Sequence, residues 1–108
     1  MAKGEYLGEL ELLVLSAVKH LGGDAYGMTI RQEIERRTGR DASIGAVYST
    51  LGRLELKGFV SFHLTDPLPV QGGRARKVAR LTAAGSRALR TTTDALARML
   101  ELNTGVSR

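Results

Sequence analysis

Ala46, Ser49, Thr50, Arg53 and Lys57 recur at steps of three and four residues in the middle of the chain. On a helix this spacing gathers them into one stripe. Small and hydroxyl-bearing side chains at the front of such a stripe let a helix approach base edges in a DNA major groove. Cations one and two turns further on suit phosphates better than bases. Ser43 stands where it can cap the helix, whose first N–H groups could also meet a phosphate. Tyr48 falls between this polar stripe and the apolar one of Ile44, Val47, Leu51 and Leu54. Its hydroxyl could reach a phosphate, its ring a thymine methyl, or it could be a packing residue. Tyr26 has the same ambiguity. Downstream, Arg74, Arg76, Lys77 and Arg80 make a cationic arm that could clamp the backbone or enter a minor groove. Arg74, Arg76 and Arg80 are expected on one face and Lys77 on the other. Taken singly, each feature has a plainer reading: a helix cap, a solvated charge, edge-strand protection. Their sequence of polar helix and cationic hairpin favours DNA.

Other chemistry is poorly supported. His20 and His63 are the only histidines and there is no cysteine, so disulfides, thiolate metal sites and cysteine nucleophiles are excluded. Spacing suggests no Ser/His/Asp arrangement. His20 and Asp24 are four apart, but Gly22-Gly23 breaks the helix between them. Gly72-Gly73-Arg74 reads as a turn, not a nucleotide loop. An enzyme is not expected, nor is a cofactor.

The elements that must position these residues follow from periodicity. Leu10, Leu13, Val14, Ala17 and Leu21 form a helical stripe, and Leu12, Leu15 and Val18 add a second apolar face. A helix apolar on two sides is either central or wedged between two chains. A second helix is expected from about Ala25 to Thr38, capped by Asp24 and stopped by Gly39. Tyr26, Ile30 and Ile34 lie inward, and Arg36 and Arg37 suit the dipole of its last turn. The third helix runs from Ser43 to Gly58. Val60, Phe62 and Leu64 alternate with Ser61 and His63 as a half-buried strand within Phe59 to Thr65, and Ala75 to Leu81 is the returning strand. Between them Pro67, Pro69, Gly72 and Gly73 form a loose tip. Thr82 caps a last helix to about Leu102, whose stripe of Leu89, Leu96, Met99 and Leu100 is interrupted by Thr91-Thr92-Thr93. Little of the chain remains to cover that stripe, so it is expected to pack on a partner's helix.

At 108 residues the chain is expected to be one compact unit with a small core. The net charge is +5, and residues 31–80 hold ten basic against five acidic residues, so the whole excess lies in that span. A localised basic surface favours a polyanion. Glu9 and Glu11 interrupt any signal-peptide pattern, and no stretch approaches the ~20 apolar residues that span a bilayer. A cytoplasmic protein without a membrane partner is expected.

The ordered set of motifs resembles the PadR family of bacterial transcriptional regulators. The matching residues are Gly8 to Leu15, Ala25-Tyr26-Gly27 with Ile30, Ser43 to Tyr48, Leu51 to Glu55 with Gly58, Gly72 to Lys77, and Leu81 to Gly85 with Leu89. The resemblance covers nearly the whole chain. It implies a homodimeric repressor that binds an inverted-repeat operator in double-stranded DNA. It also implies release by a small apolar or phenolic effector, bound in some members at the dimer interface. The chain would be the short form, with a single C-terminal dimerisation helix. The chain departs from the family at Lys77-Val78-Ala79-Arg80, where aromatic residues are common, and it lacks tryptophan.

The expected fold is therefore mainly α with a small β-hairpin: a winged helix-turn-helix over residues 1–81 and a dimerisation helix over 82–108. The DNA-contacting residues would be Tyr26, Ser43, Ala46, Tyr48, Ser49, Arg53, Lys57, Arg74, Arg76 and Lys77. Leu7, Leu10, Val14, Leu89, Leu96, Met99 and Leu100 would form the dimer face. The alternatives are a winged-helix module for protein–protein contact and a small-ligand sensor with little DNA affinity.

Overall fold

The computed structural model describes residues 6–65 and 76–101. Four helices and a two-stranded hairpin follow in the order α1 (Glu9–Leu21), α2 (Gly27–Thr38), α3 (Ile44–Leu56), β1 (Val60–Leu64), β2 (Lys77–Leu81) and α4 (Ala83–Leu100). Arg74, Ala75, the expected hairpin tip and the helix end at Leu102 lie outside the described residues.

α1 is the centre of the fold. Val14, Leu15, Ala17 and Val18 are buried, while Leu10, Leu12, Leu13 and Leu21 pack partly against the same core. Its apolar residues thus serve α2, α3, β2 and α4, all of which pack on α1. Burying each such Val or Leu side chain stabilises the fold by about 1.5–3 kcal/mol. The inward residues of α2 and α3, namely Ile30, Ile34, Val47, Leu51 and Leu54, complete this core.

α2 starts two residues later than its sequence predicts. Gly22–Asp24 form a single 3-10 turn, and Tyr26 is the residue that caps α2. Thr29 decides the boundary. Its hydroxyl accepts from the Tyr26 N–H at 3.0 Å and donates to the Asp24 carbonyl at 2.5 Å. Asp24 therefore contributes its backbone and not its carboxylate. The stop at Gly39 is as expected, with φ of 76°, a left-handed conformation that favours glycine.

The α2–α3 turn is held by Arg31, which donates to the Ala42 carbonyl at 2.9 Å and to Asp41 at 3.1 Å. Arg40 reaches Glu9 on α1 at 2.6 Å. Ser43 caps α3 by accepting from the Ala46 N–H at 3.0 Å. After α3, β1 and β2 pair antiparallel with Val60 opposite Leu81 and Leu64 opposite Lys77. The predicted alternation fades along β1: Val60 is buried, Phe62 half-buried and Leu64 exposed. The ribbon leaves the body of the protein, so only its base has a core to face. Ala79 fixes that base by donating its N–H to the Ala25 carbonyl at 2.7 Å.

Thr82 joins the hairpin to α4. Its hydroxyl accepts from the Gly85 N–H at 3.0 Å, capping α4, and donates to the Gly58 carbonyl at 2.6 Å. Thr92, within the threonine interruption, is buried and accepts from the Leu7 N–H at 3.0 Å. A polar residue in this stripe thus ties the N-terminal segment to α4.

Candidate nucleic-acid interface

The buried stripe of α3 consists of Val47, Thr50, Leu51 and Leu54. Thr50 corrects the sequence reading, which placed it on the exposed stripe. It is fully buried, and its hydroxyl accepts from Arg53 at 3.2 Å. Its β-branched methyl lets it pack among apolar neighbours while the hydroxyl finds a partner. At 100° per residue, Gly45, Ser49 and Gly52 lie opposite the buried stripe. A Cβ added at Gly45 or Gly52 would meet open space. Over the first three turns the exposed front of α3 is therefore nearly bare backbone, and Leu56, 90% exposed, follows on the same line in the last turn. Sequence reasoning passed over both glycines, although two glycines seven apart inside an apolar-periodic helix signal a face where something comes close.

Ser43 and Ser49 are exposed beside this front and Ala46 is half-buried. Tyr48 is 58% exposed and flanks it on the hairpin side. Its ring lies against the start of α2, where a Cβ on Gly27 would stand only 2.5–2.8 Å from its atoms. Tyr26, Tyr48, Phe62, Arg76 and Lys77 line one cleft of about 340 Å³ between α2, α3 and the hairpin. The Arg76 guanidinium sits 4.7 Å from the Tyr26 ring centre and the Lys77 ammonium 4.6 Å from that of Phe62. Such cation–π contacts hold the two charges at the mouth of the cleft without neutralising them.

Arg53 and Lys57 are placed differently from their expected role. Both turn toward Glu11 on α1, with Lys57 bonded at 2.7 Å and Arg53 at 3.8 Å. Glu11 is buried and also accepts from the Gly8 N–H at 3.0 Å. Burial acts to raise its pKa. The Lys57 hydrogen bond, the Gly8 N–H and the two positive charges outweigh that and hold it below its ordinary value. Arg36 and Arg37, expected to serve the helix dipole, both hydrogen-bond Glu33, which is likewise buried. Hydrogen bonds from Arg37 first, then Arg36, lower the Glu33 pKa.

Among the described residues, every cation from α2 through α3 thus has a carboxylate partner: Arg31, Arg36, Arg37, Arg40, Arg53 and Lys57. Arg76, Lys77 and Arg80 have none within 4.0 Å among those residues. Among the described residues of α2, α3 and the hairpin, the cations without a carboxylate partner are thus those of the hairpin, and α3 offers a nearly neutral face beside it.

The apolar residues expected at a dimer face separate into two groups. Val14, Leu7 and Leu89 are buried in the core of their own chain, and Leu10 is half-buried. Leu96, Met99 and Leu100 are 42%, 82% and 61% exposed. With Tyr6, Leu12 and Ala95, Leu96 and Met99 line an apolar groove of about 460 Å³ between the N-terminal segment and α4.

Among the described residues no cluster of three or more metal-ligating side chains occurs, and no helix is long and apolar enough to cross a membrane.

A family model described as the transcriptional regulator PadR-like family matches residues 14–91. Solved structures share the fold. A PadR family transcription regulator from Clostridium difficile R20291 superposes with a TM-score of 0.71 at 24% identity, covering 87% of this chain and 92% of that one. A PadR-like transcriptional regulator from Bacillus cereus gives 0.69 at 20% identity over 85% and 84%. A PadR-like transcription factor from Bacteroides fragilis gives 0.67 at 22% identity over 85% and 84%. No curated protein matches the chain.

Proposed function

The chain belongs to the PadR-like family of transcriptional regulators, and from that premise we propose that it is a sequence-specific, homodimeric, cytoplasmic repressor. The observation that carries the DNA-binding mode is the division of charge between hairpin and α3. α3 enters the major groove with its bare front, Gly45, Ser49 and Gly52, against the base edges. Ser43, Ala46 and Tyr48 flank that front. Arg76 and Lys77 hold the neighbouring phosphates. Arg53 and Lys57 act chiefly inside the protein, by fixing α3 to α1 through Glu11.

Two copies pair through Leu96, Met99 and Leu100, which are exposed among the described residues. Two α3 helices then meet an inverted repeat whose half-sites lie about 34–36 Å apart. A small apolar effector entering what remains of the groove beside Tyr6, Leu12 and Leu96 would shift the angle between the two DNA-binding heads and release the operator.

Fluorescence anisotropy with the DNA upstream of the protein's own gene, against unrelated DNA over a range of salt, tests this reading. Binding well above the control is expected. Replacing both Arg76 and Lys77 by Gln should reduce the salt slope by about two, since each phosphate contact contributes ~0.9. An unchanged slope would remove the hairpin from the interface. Equal, weak affinity for both DNAs would reject sequence-specific regulation.

A further inference from the structure

The way in which α3 distinguishes one DNA sequence from another follows from what its exposed surface lacks. Strong base discrimination in the major groove comes from paired hydrogen bonds: Arg or Lys to guanine, Asn or Gln to adenine. α3 contains no Asn, Gln or Lys. Its single Arg, Arg53, faces Thr50 and Glu11. Ser43 and Ser49 offer single hydroxyls that suit several bases, and the Ser43 oxygen already accepts the capping bond. The first three turns of α3 carry two large exposed side chains, Arg53, which is turned to Glu11, and Tyr48, which alone of the two is aromatic.

Resting on the DNA-binding reading above, we infer that Tyr48, helped by Ala46, reads the 5-methyl groups of thymine, and that Gly27 is the positioning residue that fixes the Tyr48 ring. Three observations support this. The ring is more than half exposed at the hairpin edge of the bare front. It is seated on α2 at a place where no other residue type would leave it room, since a Cβ on Gly27 would come within 2.8 Å of three of its atoms. The cleft it lines holds Arg76 and Lys77, cations able to grip the phosphates flanking a contacted base. A ring seated against Gly27 at the edge of this cleft presents an apolar surface beside the front of α3, and the thymine methyl is the apolar group in the major groove.

The test uses the full-length protein and a duplex selected by it from a random-sequence pool. Each thymine of the selected site is replaced in turn by deoxyuridine, which removes only the methyl. At one or more thymines per half-site, affinity should fall about four-fold, the equivalent of one buried CH₂. The Tyr48→Phe variant should keep that sensitivity, because the contact is apolar. Tyr48→Ala should lose it, and Gly27→Ala should weaken it while circular dichroism shows the fold retained. A selected site indifferent to every deoxyuridine overturns the inference but leaves sequence-specific binding intact. Equal loss in Tyr48→Phe and Tyr48→Ala also overturns it, by assigning the role to the hydroxyl. A pool from which no sequence is enriched would instead reject the functional reading on which the inference stands.

Discussion

At the scale of single residues, Gly45 and Gly52 set stability against binding. Each sits inside α3 with open space where a Cβ would be, so neither is required by packing. Glycine within a helix costs roughly 0.5–1 kcal/mol relative to alanine. Gly45→Ala and Gly52→Ala should therefore raise the denaturant midpoint while lowering DNA affinity, because the added methyl stands between helix backbone and bases. A variant that gains stability with undiminished affinity would show that α3 does not approach DNA along this line. Glu11 works in the opposite sense. Its folded pKa lies below the ordinary value of 4.5, so its contribution is complete above the unfolded value and is lost as pH falls through the folded one. Lys57 is partly exposed, which screens the pair, so Glu11→Gln should cost about 1 kcal/mol at neutral pH. The deficit should shrink as wild type and variant are unfolded at progressively lower pH. A deficit constant with pH would mean that the Glu11 charge does not matter.

At the scale of elements, the joint between hairpin and last helix is the tightest contact described. A Cβ on Gly85 would stand 2.0 Å from the Phe59 carbonyl oxygen and 2.9 Å from its carbon. Both are backbone atoms, so no side chain can rotate aside. Gly85→Ala should destabilise the protein by about 1–3 kcal/mol through forced separation of α4 from the start of β1. Thermal unfolding would read this directly, and an unchanged midpoint would mean that the joint is not close-packed. Nearby, the small side chain of Ala79, at a place where the family commonly has aromatics, is fully buried beside the Ala25 carbonyl. The hairpin base is therefore secured by backbone bonding and not by stacked rings. The rings that do serve the hairpin, Tyr26 and Phe62, lie under Arg76 and Lys77 instead.

At the scale of the whole molecule, the described shape is elongated, 56 × 29 × 25 Å, with a radius of gyration of 15.3 Å. A globule of this length would have about 13 Å. The second half of α4 contributes to the excess, since Met99 and Leu100 stay largely exposed among the described residues. On the proposed dimer, replacing Leu96 and Met99 together by Asp should leave the head folded but shift sedimentation from dimer to monomer. Operator binding should weaken with it, as two half-sites would no longer be bound by one particle. A double variant that remains dimeric would place the dimer contact elsewhere.

The sequence alone determined what depends on neighbours a few residues apart. The order of elements, the caps at Ser43 and Thr82, the stop at Gly39 and the apolar stripes of α1 and α3 all express chemistry within about one helical turn. The family was legible for the same reason, because its motifs are short and ordered. The tertiary structure decided what depends on residues far apart in the chain. Lys57 is occupied by Glu11 46 positions away, and Thr92 by Leu7 85 positions away. Thr50 is buried where α3 packs into the core, and Tyr48 lies where the missing Cβ of Gly27 on α2 leaves it room. Periodicity gives each side chain a direction from its helix axis. Whether that direction ends in a carboxylate, a neighbouring helix or open water is fixed only when the helices pack, and among the described residues this separated the cations of the hairpin from the paired ones of α2 and α3.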